Sequence, residues 1–228
     1  MRQSAQWQIR VFFGIWMLIL WQFAKAPFSF LLLNTFLGYL PIEISFHVGA
    51  NRPRNHFLFW AIVVVWLLFY PNAPYLLTDL FHLSLLNAYT TDGLLAMSVH
   101  VWIYFTFIIV STLFCVVLGF WSLRHVAQTI AQRYFKSGWA AQSVLVVLLT
   151  FLTSVGIYAG RFQRIHTIYL FISPDLILHR LLAMWTPKML MFVGLMTLIQ
   201  LIAYWLFNRV TTPQPQLNNR TQKETKVG

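Results

Sequence analysis

The sequence predicts an all-α integral membrane protein, a helical bundle with about six transmembrane helices and short interfacial helices. Hydrophobic residues make up 59% of the 228 residues and charged residues 9%, whereas about a quarter of a soluble domain is charged. The mean hydropathy is +0.67, and the apolar runs are continuous rather than alternating, which favours helices over the strands of a β-barrel. This composition excludes a soluble enzyme, a secreted disulfide scaffold and a disordered chain.

The first three predicted spans each have a distinguishing feature. The first resembles a signal peptide, but Pro27 follows the apparent cleavage site, so we expect an uncleaved helix with Arg10 extended toward the membrane surface. The second carries Asn34 and Glu43 and is the least lipid-like. The third is expected to stop at Pro71, on the outer face, before an interfacial helix. These spans lie near residues 11–24, 28–48 and 57–70.

The other three predicted spans complete a single transmembrane domain over residues 1–210, with aromatic residues near several ends, as in membrane proteins generally. Between the fourth and fifth, residues 121–137 are typical of a basic helix on the cytoplasmic surface. Residues 175–186 predict an amphipathic helix on the outer surface, because 165–186 holds charges that make a seventh span costly. Residues 211–228 predict a disordered tail. The spans lie near residues 97–118, 139–159 and 189–207.

The distribution of basic residues predicts the orientation in the membrane. With six spans, eleven basic residues fall on the side of the termini and five on the other, which places both termini in the cytoplasm and the chain in the inner (plasma) membrane. The eleven are Arg2, Arg10, Arg52, Arg54, Arg124, Arg133, Lys136, Arg209, Arg220, Lys223 and Lys226; the five are Lys25, Arg161, Arg164, Arg180 and Lys188.

The charge and cysteine content limit the partners and cofactors. The net charge is +11, but the basic residues lie in loops where they anchor a membrane protein, so we expect no nucleic-acid partner. Cys115 is the single cysteine, which excludes an intrachain disulfide and a cysteine-built zinc site. We expect no cofactor. The expected partners are the lipid bilayer and either an anionic lipid or another membrane protein.

The segment from 71 to 83 carries the most unusual group of polar residues. On a helix beginning near Asn72, the residues Thr78, Asp79 and His82 share one face, since they are three and four positions apart. Tyr75 lies one turn before Asp79. Because the flanking residues are apolar, this face is expected to turn toward protein or a wet cleft, either as a helix-packing device or as a binding site.

Two arginines at the outer end of the fifth span are the expected partners of this segment. Arg161 and Arg164 follow Gly156 and Gly160, a pair of small residues that lets another helix approach closely. Few acids exist on that side, so we predict that Asp79 lies within ion-pair reach of at least one of the two arginines. The alternative is that both extend to lipid phosphates.

The two polar residues of the second span must also find partners. Asn34 is expected near mid-membrane and Glu43 toward the inner face, where polar side chains usually join helices. Nine positions separate them, which places them on opposite sides of a helix. We therefore expect the second span to be packed on both sides, or Glu43 to reach interfacial water.

Three segments carry a resemblance to a known family: 34–41 (NTFLGYLP), 68–83 (LFYPNAPYLLTDLFHL) and 156–164 (GIYAGRFQR). In order and spacing they are similar to the signatures of the bacterial domain-of-unknown-function 1361 membrane family, over most of residues 28–210. The family pattern continues after Arg164 with Trp-Asn-Ser-Trp-Asp, whereas this chain reads Ile-His-Thr-Ile-Tyr, so any role of that acid does not carry over unless His166 or Asp175 replaces it. The resemblance implies a multi-pass membrane protein and no known activity.

Three functions remain open from the sequence. The one we favour is a structural or accessory role in the inner membrane. The second is an outward-facing binding or transport site for an anionic or lipid-like ligand, and its candidate residues are Asn72, Tyr75, Thr78, Asp79, His82, Arg161 and Arg164. The third is a membrane-embedded metal-dependent hydrolase or lipid-modifying enzyme, for which Asp79, His82 and His166 are weak candidate ligands.

Overall fold

The computed structural model describes residues 1, 3–135, 138–163, 175 and 182–212. In this part of the chain the fold is helical, without β-strands beyond two isolated bridges. The helices are α1 (Gln3–Phe23), α2 (Phe30–Ser45), α3 (His56–Phe69), α4 (Asn72–Asp79), a 3-10 helix (Leu80–Leu86), α5 (Val99–Tyr134), α6 (Gly138–Phe162) and α7 (Pro187–Thr211).

Four of the described helical segments are long and apolar enough to cross a membrane, namely His56–Leu86, Val99–Tyr134, Gly138–Phe162 and Pro187–Thr211. α2 is a shorter apolar helix. The predicted fold class, a helical membrane bundle, is confirmed, while the first two predicted spans and the orientation stay predictions. Most of the predicted surface helix at 175–186, and the predicted tail from 213, lie outside the described residues.

Contacts along α5 establish the direction of its neighbours. Phe12 of α1 stacks on Phe114 of α5 and Trp16 donates to Ser111 Oγ, so α1 and α5 are antiparallel. Phe207 of α7 packs on Phe120, and Thr211, at the end of α7, accepts a hydrogen bond from Arg124 of α5. α1 therefore begins at the end of the bundle where α5 and α7 end. We call this the terminal end, and we call the end where α5 begins the opposite end.

α5 is one continuous helix of 36 residues. The predicted span at 97–118 and the predicted basic helix at 121–137 are thus parts of one helix as far as the described residues reach, which is 135 here, and the point where this helix leaves the membrane stays a prediction. The second half of α5 is buried against α3 and α6 through Leu123, Val126 and Ile130. The charge of Arg133 is accommodated because its guanidinium donates to the Pro53 carbonyl at 2.8 Å and lies over the Phe59 ring.

The turn between α3 and α4 keeps the chain inside the bundle. α3 ends at Phe69, where the prolines predicted a stop, but Tyr70 and Pro71 have helical backbone angles and α4 continues toward the opposite end. Pro71 and Pro74 are tolerated because they stand at the start of a new helix, where a missing N–H is not needed. The expected interfacial helix is thus a buried one, with Ala73 and Leu76 fully enclosed.

Candidate functional site

Asp79 lies at the end of α4, enclosed by protein. Its side chain is 1% exposed. α4 reaches this depth because small residues face it: a Cβ on Gly119 of α5 would come within 3.0 Å of Ala73, and one on Gly156 of α6 within 2.7 Å of Pro71. The predicted role of Gly156 in close helix approach is therefore confirmed, and the result is an acid held between α2, α5 and α6.

Three side chains surround the Asp79 carboxylate. Arg161 Nη1 of α6 lies 3.2 Å from Oδ1, and Asn34 Nδ2 of α2 donates to Oδ2 at 2.7 Å. His82 Nδ1 lies 3.7 Å from Oδ1 and 3.1 Å from the Asp79 carbonyl oxygen. The ion pair predicted between Asp79 and an arginine of the fifth span is confirmed for Arg161. Arg164 lies outside the described residues.

Arg161 is fixed by three groups of α4. Besides its contact with Asp79, it donates to the Tyr75 hydroxyl at 3.1 Å and to the Thr78 carbonyl at 3.2 Å. Its guanidinium carbon also lies 5.5 Å from the centroid of the Tyr75 ring, within the range of a cation–π contact. These contacts hold the guanidinium in one orientation and engage both of its terminal nitrogens.

The five residues Asn34, Tyr75, Asp79, His82 and Arg161 form what we call the Asp79 cluster. Its charges are graded in exposure: the acid is 1% exposed, whereas the side chains of Arg161 and His82 are 23% and 25% exposed. Arg161 and His82 therefore lie between the buried acid and the surface of the bundle.

Two predicted site residues do not join the cluster through their side chains. Asn72 Nδ2 donates to the Phe69 carbonyl at 2.9 Å, and Thr78 Oγ1 donates to the Tyr75 carbonyl at 2.7 Å. Both side chains thus satisfy the backbone of their own helical segment, and Thr78 contributes only its carbonyl to Arg161. The weak metal candidate His166 lies outside the described residues. Among those described, there is no group of three or more His, Cys, Asp or Glu side chains placed to hold a metal ion.

A second polar cluster lies toward the terminal end, on the other side of α2. Glu43 accepts two hydrogen bonds from Arg10 Nε at 3.0 and 3.2 Å and one from Arg10 Nη2 at 2.6 Å. The Tyr39 hydroxyl donates to the same carboxylate at 2.6 Å, and His47 lies 3.4 Å away. The prediction that both polar residues of the second span have partners is confirmed. Arg10 pairs with Glu43, a partner that the sequence did not name, and its extension toward the membrane surface stays a prediction.

Sequence reasoning missed two members of these clusters. It assigned Asn34 to helix packing without a named partner, and the partner is Asp79. It did not pair Arg10 with Glu43, although the scarcity of acids, which correctly pointed to Asp79 and Arg161, offered the same signal.

Comparison with known proteins gives one match. A family model described as "Protein of unknown function (DUF1361)" matches residues 33–203, a region that contains every residue of the Asp79 cluster. No curated protein and no solved structure matches the chain.

Proposed function

The chain belongs to the DUF1361 family, whose description names no activity, and we propose from the geometry that it binds an anionic, lipid-like ligand at the Asp79 cluster. The observation that supports this proposal is the difference in solvent exposure between Asp79 and the two side chains beside it, Arg161 and His82. The buried Asp79 carboxylate lies against Arg161 and His82, and each of these two side chains keeps about a quarter of its surface exposed.

Chemistry favours an anion over other ligands at this position. Arginine presents five N–H donors in a rigid fork that matches phosphate and carboxylate, and the contacts to Tyr75 and Thr78 hold that fork in place. Asp79 compensates one positive charge. The guanidinium of Arg161 nevertheless keeps part of its surface exposed, and this exposed part can attract an anion to a partly desolvated site.

The place of the cluster in the bundle favours a ligand that comes from the opposite end. α4, the 3-10 helix and the last turn of α6 all lie toward that end, and exposed apolar side chains follow on Phe81 and Leu85. These side chains offer apolar surface to a lipid-like ligand at this end of the bundle. Under the predicted topology, with both termini in the cytoplasm of a bacterial cell, this end faces outward and the ligand arrives from the outer leaflet of the inner membrane.

A structural or accessory role is the second candidate, and it also has a specific observation in its favour. Both carboxylate oxygens of Asp79 have partners, one from α2 and one from α6, so the cluster joins three elements even without a ligand. The enzyme hypothesis stays a sequence prediction, because Asp79 and His82 supply two of the three protein ligands that an open metal site usually has.

The experiment that tests binding compares dihexanoyl phosphatidate with dihexanoyl phosphatidylcholine as soluble probes for the detergent-purified protein. We expect the anionic probe to raise the melting temperature progressively as its concentration rises above its dissociation constant and the zwitterionic probe to leave it unchanged. The double variant Asp79→Asn/Arg161→Gln removes both charges together and leaves no buried ion alone. It should melt cooperatively and lose the response.

The matched control is Arg209→Gln, which removes a basic residue of α7 near the terminal end and should keep the full response. An unchanged response in the double variant would overturn the binding proposal. A response that is absent from the wild type, together with a strong loss of stability in Asp79→Ala, would favour the structural role.

A further inference from the structure

We propose that the protein has a second, separate lipid site, which holds an anionic phospholipid in a groove between α1 and α5, near the terminal end. The acyl chain lies in the groove, and the phosphate lies at Arg124. This site does not depend on the Asp79 cluster, since it uses other residues and faces the other end of the bundle.

The groove has a volume of about 510 Å³, which is within the usual range of small-molecule sites, about 300–1,000 Å³. Its walls are almost entirely apolar, and Gln8 on α1 supplies a polar group. Phe12 and Phe114 stack at 3.9 Å across it, and Leu113 and Val117 are about half exposed. The main wall residues are Ile9, Phe12, Leu113, Phe114, Val117 and Leu118.

The groove runs toward the terminal end. Trp16 pairs with Ser111 and Phe12 with Phe114, so residues near the start of α1 lie beside residues of α5 later than 114. Ala5 and Gln8, which also line the groove, mark its end nearest the terminal end of the bundle. A chain of methylene groups that enters the groove therefore has its headgroup at the level of the first residues of α1.

Arg124 is placed to meet that headgroup. It follows Val117 by seven residues, which is two helical turns and about 10 Å along nearly the same face of α5. Its guanidinium donates to the neutral Thr211 hydroxyl at 3.1 Å. Among the described residues no carboxylate pairs with it, and Glu43, the acid of that end, is engaged by Arg10. Within the described residues, Arg124 is thus a cation without an acidic partner, two helical turns along α5 from the groove wall, and this combination matches an anionic phospholipid.

The same charge disfavours another helix or a second copy of this chain as the occupant. A symmetric second copy would bring its own Arg124 to the same face, and like charges would then lie opposite each other. A phospholipid supplies what both parts of the site need, because its chain covers apolar surface and its phosphate compensates the guanidinium.

The experiment measures the lipids retained by the purified full chain. The protein is reconstituted in an equimolar mixture of phosphatidylglycerol and phosphatidylcholine, extracted, and analysed by native mass spectrometry. We expect the wild type to retain phosphatidylglycerol in preference. Arg124→Gln should reduce that preference about five-fold, the effect of one basic residue at an anionic surface, and Val117→Trp, which fills the groove, should abolish retention of one lipid of either kind.

Two matched variants serve as controls. Val147→Trp adds the same ring to a lipid-exposed position on α6, and Arg209→Gln removes a charge at the same end of the bundle. Both should retain lipid as the wild type does. Asp79→Asn/Arg161→Gln should lose only the lipid of the Asp79 cluster and keep the one that Val117→Trp removes, which separates this site from the proposed function.

Equal lipid ratios in wild type and Arg124→Gln would overturn the proposal, and because Arg124 is not buried, that variant tests it even if Val117→Trp folds poorly. A lipid-free dimer of the wild type that Val117→Trp no longer forms would also overturn the proposal, because it would mean that a second copy of the chain covers the groove.

Discussion

Arg161 Nη1 on α6 lies 3.2 Å from Asp79 Oδ1 on α4, although 82 positions separate the two residues. The pair is unequally buried, with the carboxylate enclosed and the guanidinium 23% exposed. Because an ion without its partner is costly only where water cannot reach it, the two halves of this pair are not equivalent. The first prediction follows from that inequality.

Arg161→Ala is expected to destabilise the protein more than Asp79→Ala does. Without Arg161, a buried carboxylate remains uncompensated, at a cost of about 3–5 kcal/mol. Without Asp79, the arginine can extend toward water or lipid phosphate, and the loss is smaller. Thermal unfolding in detergent measures the order. Asp92→Ala, on an exposed loop, is the control and should be neutral. A larger loss in Asp79→Ala than in Arg161→Ala would contradict the burial argument.

Removing Arg10 from the second ion pair should destabilise the protein less than removing Arg161 from the first. Arg10 and Glu43 each keep 26% of their side chains exposed, so solvent screens the pair more than it screens Asp79. Arg10→Ala should therefore lower the melting temperature less than Arg161→Ala, and the difference between Arg10→Ala and wild type should shrink in high salt. Equal losses at both arginines, with no dependence on salt, would show that exposure does not distinguish the two pairs.

Gly156→Ala is expected to separate α6 from the α3–α4 turn. The new Cβ would lie 2.7 Å from Pro71 Cγ, and the proline ring cannot rotate away, so overpacking should cost about 1–3 kcal/mol. Gly194→Ala on α7 is the matched control, because nothing lies within 4 Å of its added Cβ. Melting temperatures of the two variants give the comparison; a neutral Gly156→Ala would mean that the two segments are not held at this distance.

The orientation can be tested with cysteine labelling. Thr90→Cys and Asn51→Cys place thiols on exposed positions at opposite ends of the bundle, and the wild-type chain serves as the blank because Cys115 is fully buried. If the termini are cytoplasmic, an impermeant maleimide on intact cells labels Thr90→Cys and leaves Asn51→Cys unlabelled until the membrane is permeabilised. The reverse pattern would invert the predicted topology.

The contacts of the site could be predicted from the sequence where a residue had few possible partners. Asp79 is one of five acidic residues, so a membrane arginine had few possible acids and the pair with Arg161 could be named. The partner of Asn34 could not be named, because a side-chain amide can hydrogen-bond to many groups. Helical periodicity predicts the face of the helix on which Asn34 lies, but not the residue that packs against it. The bundle class followed from composition together with the continuous apolar runs.

Two features of the fold could not be foreseen, for the same physical reason. The basic segment that contains Arg133 was expected on the membrane surface and the third span was expected to stop at Pro71, whereas in the described residues neighbouring groups satisfy Arg133 and the chain continues into the buried α4. Carbonyl groups of the loop before α3 accept the hydrogen bonds of Arg133, and a proline that begins a new helix gives up no hydrogen bond. Such compensation depends on tertiary neighbours and leaves no periodic pattern in the sequence.

The roles of two asparagines give the last prediction. Sequence reasoning placed Asn72 in the site and Asn34 in helix packing, whereas Asn34 Nδ2 donates to the Asp79 carboxylate at 2.7 Å and Asn72 bonds to the backbone of its own segment. Asn34→Ala should cost about 1–3 kcal/mol, since it leaves one oxygen of a buried carboxylate without a donor, and Asn72→Ala about 0.5–1.5 kcal/mol.

The same pair of variants separates stability from binding. If Arg161 recognises the ligand and Asn34 helps to hold Asp79 beneath it, Asn34→Ala should weaken the response to dihexanoyl phosphatidate, while Asn72→Ala should keep it in full. Titrations of melting temperature against probe concentration give both quantities from one series. A response lost in Asn72→Ala and retained in Asn34→Ala would return Asn72 to the site and would mean that the hydrogen bond from α2 has no part in recognition.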